Sequence, residues 1–219
     1  MSVPGAPSTR IFIGVDPGLS GAVASLTGDG RAAMAIEIPK LLVRVGERED
    51  SWPDHHRIGL RLRRAVAAAG DPGRVVVTVE HAGSWSTPGH KANYWRAGGP
   101  QLWRGACGAL RVPVHLVAPA TWQAEMLPMA ALRAEHPLVR AGVGKAPLSE
   151  TEARRINGQR RAAIKAASVR EAKRLFPGVN LHATERSRVE SDGLAEALLI
   201  AEWGRRRFFG GAVFAARPA

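Results

Sequence analysis

With 219 residues, 45% of them hydrophobic, the chain can bury one full core and is somewhat short for two domains. A formal net charge of +12 points to a polyanionic partner, because clustered Lys and Arg gain affinity for phosphates by releasing condensed counterions; an acidic membrane surface is the competing partner. No apolar run approaches the roughly 18 residues that cross a bilayer, no signal peptide opens the chain, and one cysteine, Cys107, cannot close an internal disulfide, so a cytoplasmic setting without membrane contact is expected.

Residues 1–9, with Pro4, Gly5 and Pro7, predict a disordered leader ahead of a domain over 10–207, with a tail over 208–219. Ile11, Phe12, Ile13 and Val15 read as a buried strand ending in Asp16, and Pro17-Gly18 with Ser20-Gly21 turns the chain into a second strand, Ala22 to Thr27. Gly28-Asp29-Gly30 suits a tight hairpin into a third strand, Ala32 to Ile38, so three antiparallel strands are expected. Asp16 has two readings: an acid that needs a metal ion or a basic partner, or part of a simple Asp-Pro-Gly turn. The mixed charges of Leu41 to Asp54 predict a surface loop. Ile58, Leu60, Leu62, Ala65, Val66 and Ala69 give an approximate helical stripe stopped by Gly70, with Arg57, Arg61, Arg63 and Arg64 on a solvated face.

Val75 to Glu80 repeats the pattern of a buried strand delivering an acid at its end. Between His81 and Arg104 flat rings mix with cations, which makes His90, Lys91, Tyr94, Trp95, Arg96 and Arg104 candidate nucleic-acid contacts, with Gly89 to Tyr94 as a flexible loop. Trp103 reads as core packing in a helix running to Leu110. Val112 to Val117 is a fifth strand, and Ala120 to Met129 starts a helix that leads into an irregular stretch. A basic insertion over about 130–158 carries a capping box, Ser149 with Glu152, and a short helix from Glu150 to Ile156. A separate helix, Arg160 to Phe176, follows, with Ile164, Ala172, Leu175 and Phe176 as its apolar stripe and Arg160, Arg161 and Lys165 among its cations. Twelve basic residues against four glutamates between Arg140 and Arg188 concentrate the charge there. A last helix from Ser191 carries Asp192 and Glu196 on one face, a like-charge pair that needs compensation. The lone histidines His115 and His182 are assigned no chemistry.

Asp16, Glu80, Asp192 and Glu196 would form a hard, all-oxygen set that suits Mg²⁺ or Mn²⁺. Two such ions about 3.5–4 Å apart stabilise the attacking and leaving oxygens in phosphodiester hydrolysis. The turn Gly14-Val15-Asp16-Pro17-Gly18, the strand-end Glu80 and the run Asp192 to Ala201 resemble the RNase H-like Holliday-junction resolvases of RuvC type, most closely the plastid branch. Tyr94-Trp95-Arg96-Ala97-Gly98-Gly99, Leu102-Trp103-Arg104-Gly105, Pro119-Ala120-Thr121-Trp122, Lys165-Ala166-Ala167-Ser168 and Leu175-Phe176-Pro177 follow that pattern in order. The resemblance implies an α/β RNase H-like fold, a five-stranded mixed sheet with its first three strands antiparallel, flanked by helices. It further implies two Mg²⁺ per site with Mn²⁺ substituting, Lys165 against the scissile phosphate, four-way junction DNA as substrate and a homodimer. Gln123 departs from the pattern, where a lysine commonly follows the tryptophan. Another RNase H-like nuclease, or a non-catalytic junction-binding protein, would share much of this sequence; an actin-like kinase would need a duplicated domain that 219 residues do not accommodate.

Overall fold

Strands β1 (Ile11–Asp16), β2 (Ala22–Thr27) and β3 (Ala32–Glu37) form an antiparallel meander. β1 also pairs in parallel with β6 (Val75–Glu80), which pairs in parallel with β7 (Val114–Val117), so the sheet order is β3-β2-β1-β6-β7. Helices cover both faces: α1 (His55–Ala69) and α2 (His90–Ala109) on one, α6 (Asp192–Phe208) on the other, with α3 (Pro119–Met126), α4 (Met129–Glu135) and α5 (Glu150–Leu175) beside α6. This is the five-stranded mixed sheet, its first three strands antiparallel and helices on both faces, that the sequence predicts. The computed structural model describes residues 10–18, 20–81, 90–139 and 148–209, and for 90–96 and Val45 the backbone only. The expected leader lies outside the described residues, as do Gly89 of the expected loop, most of the tail and the middle of the insertion.

The two-residue pleat sorts side chains between two cores. Ile13 and Val15 of β1, Val23 of β2, and Val75, Val77 and Val79 of β6 pack with Ile58, Leu62 and Trp103 under α1 and α2. Ala22, Ala24 and Leu26 point the other way, into the core built by Leu194, Leu198, Leu199 and Ile200 of α6 with Trp122 and Phe176. Gly14 and Thr78 share the α6 side, because a side chain on Gly14 would meet the Ala197 carbonyl and Ala201 amide, and Thr78 lies against Gly204. Asp16 has the parity of Gly14, and Glu80 that of Thr78. The pleat therefore aims both strand-end acids at α6. Since backbone atoms cannot step aside as a flexible side chain can, Gly14→Ala is expected to lower unfolding stability by at least the ~1–3 kcal/mol typical of overpacking, read as a lower urea midpoint.

Cys107 is fully buried, and burial pushes its thiol up to about 12, which fits a core residue and not a reactive one. Trp103, 2% exposed, is core as expected.

Four local expectations are corrected. Leu41 to Asp54 is an antiparallel ribbon, β4 (Lys40–Val45) and β5 (Arg48–Pro53), in register from Lys40↔Pro53 to Val45↔Arg48. Gly46, at φ 64, supplies the left-handed residue that its two-residue turn needs. Exposed ribbons carry charge on both faces, and so imitate a loop in sequence. His90 to Tyr94 is the first turn of α2 and not a loop. The helix expected over Ala120 to Met129 stops at Met126, ahead of Pro128, and the stretch expected to be irregular beyond Met129 opens with the short helix α4. The two helices expected on either side of Gly158 are one 26-residue helix, α5, opened by the capping box: Glu152 N donates to Ser149 Oγ at 3.2 Å and Ser149 N to Glu152 Oε2 at 2.9 Å. Among the described residues, nothing lies within 4 Å of where a Gly158 side chain would sit. A solvent-facing glycine weakens a helix by about 1 kcal/mol without stopping it. Among the described residues, no helix is long and apolar enough to cross a membrane.

Candidate active site

Asp16 ends β1 where the turn begins, and its Oδ1 accepts the Gly18 amide at 3.2 Å. The turn is pressed from both sides. A side chain on Gly193 would meet the Ser20 carbonyl at 2.8 Å, and one on Gly99 of α2 the Pro17 carbonyl at 2.7 Å. Only glycines let α6 and α2 approach this closely, so both helices are locked to the loop that carries Asp16. Burial raises the Asp16 carboxyl above its usual range; the Gly18 hydrogen bond pulls it back, the Asp192 charge raises it again, and Lys165 opposes.

Glu80 ends β6, opposite Val117 in the β6–β7 ladder, and its Oε2 accepts the indole N–H of Trp122 at 2.7 Å. Asp192 opens α6 behind the N-cap Ser191, whose Oγ accepts the Leu194 amide at 3.3 Å. Its Oδ2 forms an ion pair with Lys165 Nζ, reaching across from α5. Glu196 follows one turn later, and Ser168 of α5, fully buried, lies 3.5 Å from its Oε1. The Glu196 carboxyl is pushed up to about 8, by burial first and then by the charges of Asp16, Glu80 and Asp192, with Lys165 opposing. Lys165 is held above its ordinary range, chiefly by its hydrogen bond to Asp192 and against burial, with Glu196 and Asp16 adding to the effect.

Four carboxylates from three elements thus share one electrostatic neighbourhood with the Lys165 ammonium. Like charges so placed cannot all ionise without a further cation. The donor chemistry fits a hard divalent ion. No group of three or more His, Cys, Asp or Glu among the described residues forms a preformed metal cage, and Lys165 lies against Asp192 in this arrangement. The residues fit such an ion by chemistry and charge.

The nucleic-acid candidates divide by element. His90, Lys91, Tyr94, Trp95 and Arg96 occupy the first turns of α2, whose Gly99 touches the Asp16 turn; their side chains lie outside the described residues. Arg104, farther along α2, is exposed and donates to Gln101 Oε1 at 3.0 Å. Arg161 is exposed one helical turn before Lys165 on α5, and Arg160 is half-buried beside it. Other cations of the basic segment have acidic partners: Arg154 with Glu150, Lys173 with Glu190 at 2.8 Å and Arg174 with Glu171 at 2.6 Å. Glu202 lies away from the cluster, buried between Arg205 and Arg206 at 2.7 and 2.8 Å. His115 stacks on Phe208 with ring centroids 4.0 Å apart, and burial lowers its pKa.

Sequence reasoning assigned no role to Trp122 or Ser168. Both were visible only as apolar or small residues within motifs, and nothing in their spacing shows which polar atom they face.

No protein-family model and no curated protein sequence matches this chain. Among solved structures, it is similar to Thermus thermophilus RuvC in complex with a Holliday junction substrate, at 12% identity and a TM-score of 0.46 over 91% of this chain and 97% of that one. It is also similar to Thermus thermophilus RuvC alone, at 13% identity and a TM-score of 0.39 over 88% and 92% of the two chains.

Proposed function

We propose that this chain is a divalent-metal-dependent endodeoxyribonuclease that resolves four-way DNA junctions by paired cuts, acting as a homodimer. The observation that carries the reading is the convergence of Asp16, Glu80, Asp192 and Glu196, which Lys165 neutralises only in part. Asp16, Glu80, Asp192 and Glu196 would hold Mg²⁺, two ions per site, with Mn²⁺ able to substitute. When bound, such ions stabilise the attacking and leaving oxygens of an in-line displacement at phosphorus.

The remaining roles belong to the protein's own side chains. The Gly18 amide orients Asp16, and Trp122 orients Glu80. Lys165 stays protonated beside Asp192 and would face a non-bridging oxygen of the scissile phosphate. Arg160 and Arg161 would carry the phosphate backbone along α5, while His90, Lys91, Tyr94, Trp95, Arg96 and Arg104 would do so along α2 and offer rings to bases exposed at the junction centre. The choice of a junction over plain duplex rests on the ordered resolvase-like motifs; the +12 charge supports DNA in general.

The test is cleavage of a mobile-core four-way junction in Mg²⁺ by wild type and Asp16→Asn, beside matched duplex, replication-fork and RNA-DNA hybrid substrates. Paired symmetric nicks by wild type are expected, with binding but at least ~10³-fold less cutting by the variant, the order lost when a group essential to the reaction is removed. Equal activity on hybrid would favour a ribonuclease. Tight junction binding without metal-dependent cutting would favour a non-catalytic junction-binding protein.

A further inference from the structure

Trp122 has no solvent exposure, and its only polar atom, the Nε1–H, is aimed at Glu80 Oε2. The register explains its position. Glu80 pairs with Val117, the His81 amide donates to the Val117 carbonyl at 2.8 Å, and α3 begins two residues later at Pro119, which brings Trp122 into the first turn beyond that pair. Burial alone does not give an indole a partner in this fold, since Nε1 of Trp203 is buried with none among the described residues. The hydrogen bond to Glu80 is a matter of placement.

We infer, resting on the metal-dependent reading above, that Trp122 is a positioning residue for Glu80 and that it tilts the site toward small octahedral cations, Mg²⁺ over Ca²⁺. The indole fixes the rotation of the carboxylate and engages Oε2. A cation that gripped Glu80 through both oxygens would compete with the N–H for Oε2 and weaken the hydrogen bond of a buried donor. Ca²⁺, which takes roughly six to eight oxygens and often chelates a carboxylate through both, loses more by this restriction than Mg²⁺, which keeps a tight octahedron and several waters. Outer-shell hydrogen bonds of this kind orient a ligand before the ion arrives.

The experiment replaces the Trp122 indole with a benzothiophene, by site-specific incorporation of β-(3-benzothienyl)alanine, which keeps the ring shape and removes the donor. Trp122→Phe serves as a second variant. Mg²⁺ and Ca²⁺ binding to the DNA-free protein is measured by titration calorimetry, and thermal unfolding reports the fold. Mg²⁺ affinity is expected to fall by about ten-fold or more, the range found when an outer-shell partner is removed, while Ca²⁺ affinity falls less, so the preference for Mg²⁺ shrinks in both variants. An equal loss for both ions, or no loss for either, makes Trp122 a packing residue and overturns the inference while leaving the nuclease reading intact. If the wild type binds neither ion, the metal-dependent reading fails and this inference fails with it.

Discussion

Glu196→Gln is expected to make the cation-free protein more stable above pH 8 while abolishing metal-dependent cleavage. The carboxyl, ordinarily near 4.5, is pushed up to about 8 in the folded chain, first by burial and then by Asp16, Glu80 and Asp192. Between those values the folded state holds a proton that the unfolded chain has released. Stability must then fall as pH rises from about 4.5, with the full penalty present above about 8. At ~1.4 kcal/mol for each tenfold change in proton affinity the penalty is of order a few kcal/mol, a large share of the stability of a domain this size. Glutamine cannot ionise, so the variant should lose most of this slope; Asp16, also raised by burial, would leave a residue of it. Glu202 acts in the opposite sense. Burial alone would raise it, yet its bonds to Arg205 and Arg206 hold it low, so its contribution is present above the ordinary carboxylate range and lost as pH falls. The check is urea unfolding of both proteins from pH 5 to 9, with and without Mg²⁺. Wild type should regain stability with Mg²⁺ at pH 8–9, because binding to the ionised cluster replaces protons with a cation; the variant should gain much less. Identical pH slopes for the two proteins would mean that Glu196 does not carry the strained charge.

The sheet and the acid cluster were legible because both depend on patterns of short period. Ile11, Ile13 and Val15 against Gly14 and Asp16 state the two faces of β1, and the same parity in Val75 to Glu80 sends Glu80 to the face that receives Asp16. The four-residue spacing of Asp192 and Glu196 needs only a helix to act. Local patterns failed where tertiary surroundings decide. Gly158 could end a helix or be carried through one, and only the continuous α5 shows which. The β4–β5 ribbon has charges where a buried strand would have alternation, so its single structural mark is Gly46. Trp122 and Ser168 sit in the core by composition and at the site by direction. Direction is set by the packing of α3 and α5 against the sheet and α6, contacts between segments tens of residues apart, as the 42-residue separation of Trp122 and Glu80 shows.

Lys165→Met should bind divalent cations more tightly and cleave far more slowly, a pair of opposite changes that neither unfolding nor loss of general charge would give. In the cation-free protein the Lys165 ammonium is ion-paired with Asp192 and lowers the carboxyl pKa values of Asp16 and Glu196. It is therefore a resident competitor for the negative field that an incoming ion needs. Removing it strips the four carboxylates of the ammonium that opposes their charge, so Mg²⁺ affinity measured by calorimetry should rise. The same ammonium, kept protonated by its acid neighbours, is placed to meet charge that grows on a phosphate oxygen during cleavage. Losing a preorganised donor of this kind costs roughly 2.7–4 kcal/mol of barrier, or about 10²–10³ in single-turnover rate at saturating Mg²⁺. Junction affinity in Ca²⁺ should change much less, because Arg160, Arg161 and the basic face of α5 still meet the backbone. A rate loss that tracked the loss of DNA affinity one for one would make Lys165 an ordinary phosphate contact. A rate loss cured by raising Mg²⁺ would make it a tether for Asp192. Only slow cleavage with tighter cation binding and nearly unchanged DNA binding fits an ammonium that the acid cluster holds ready for the scissile phosphate.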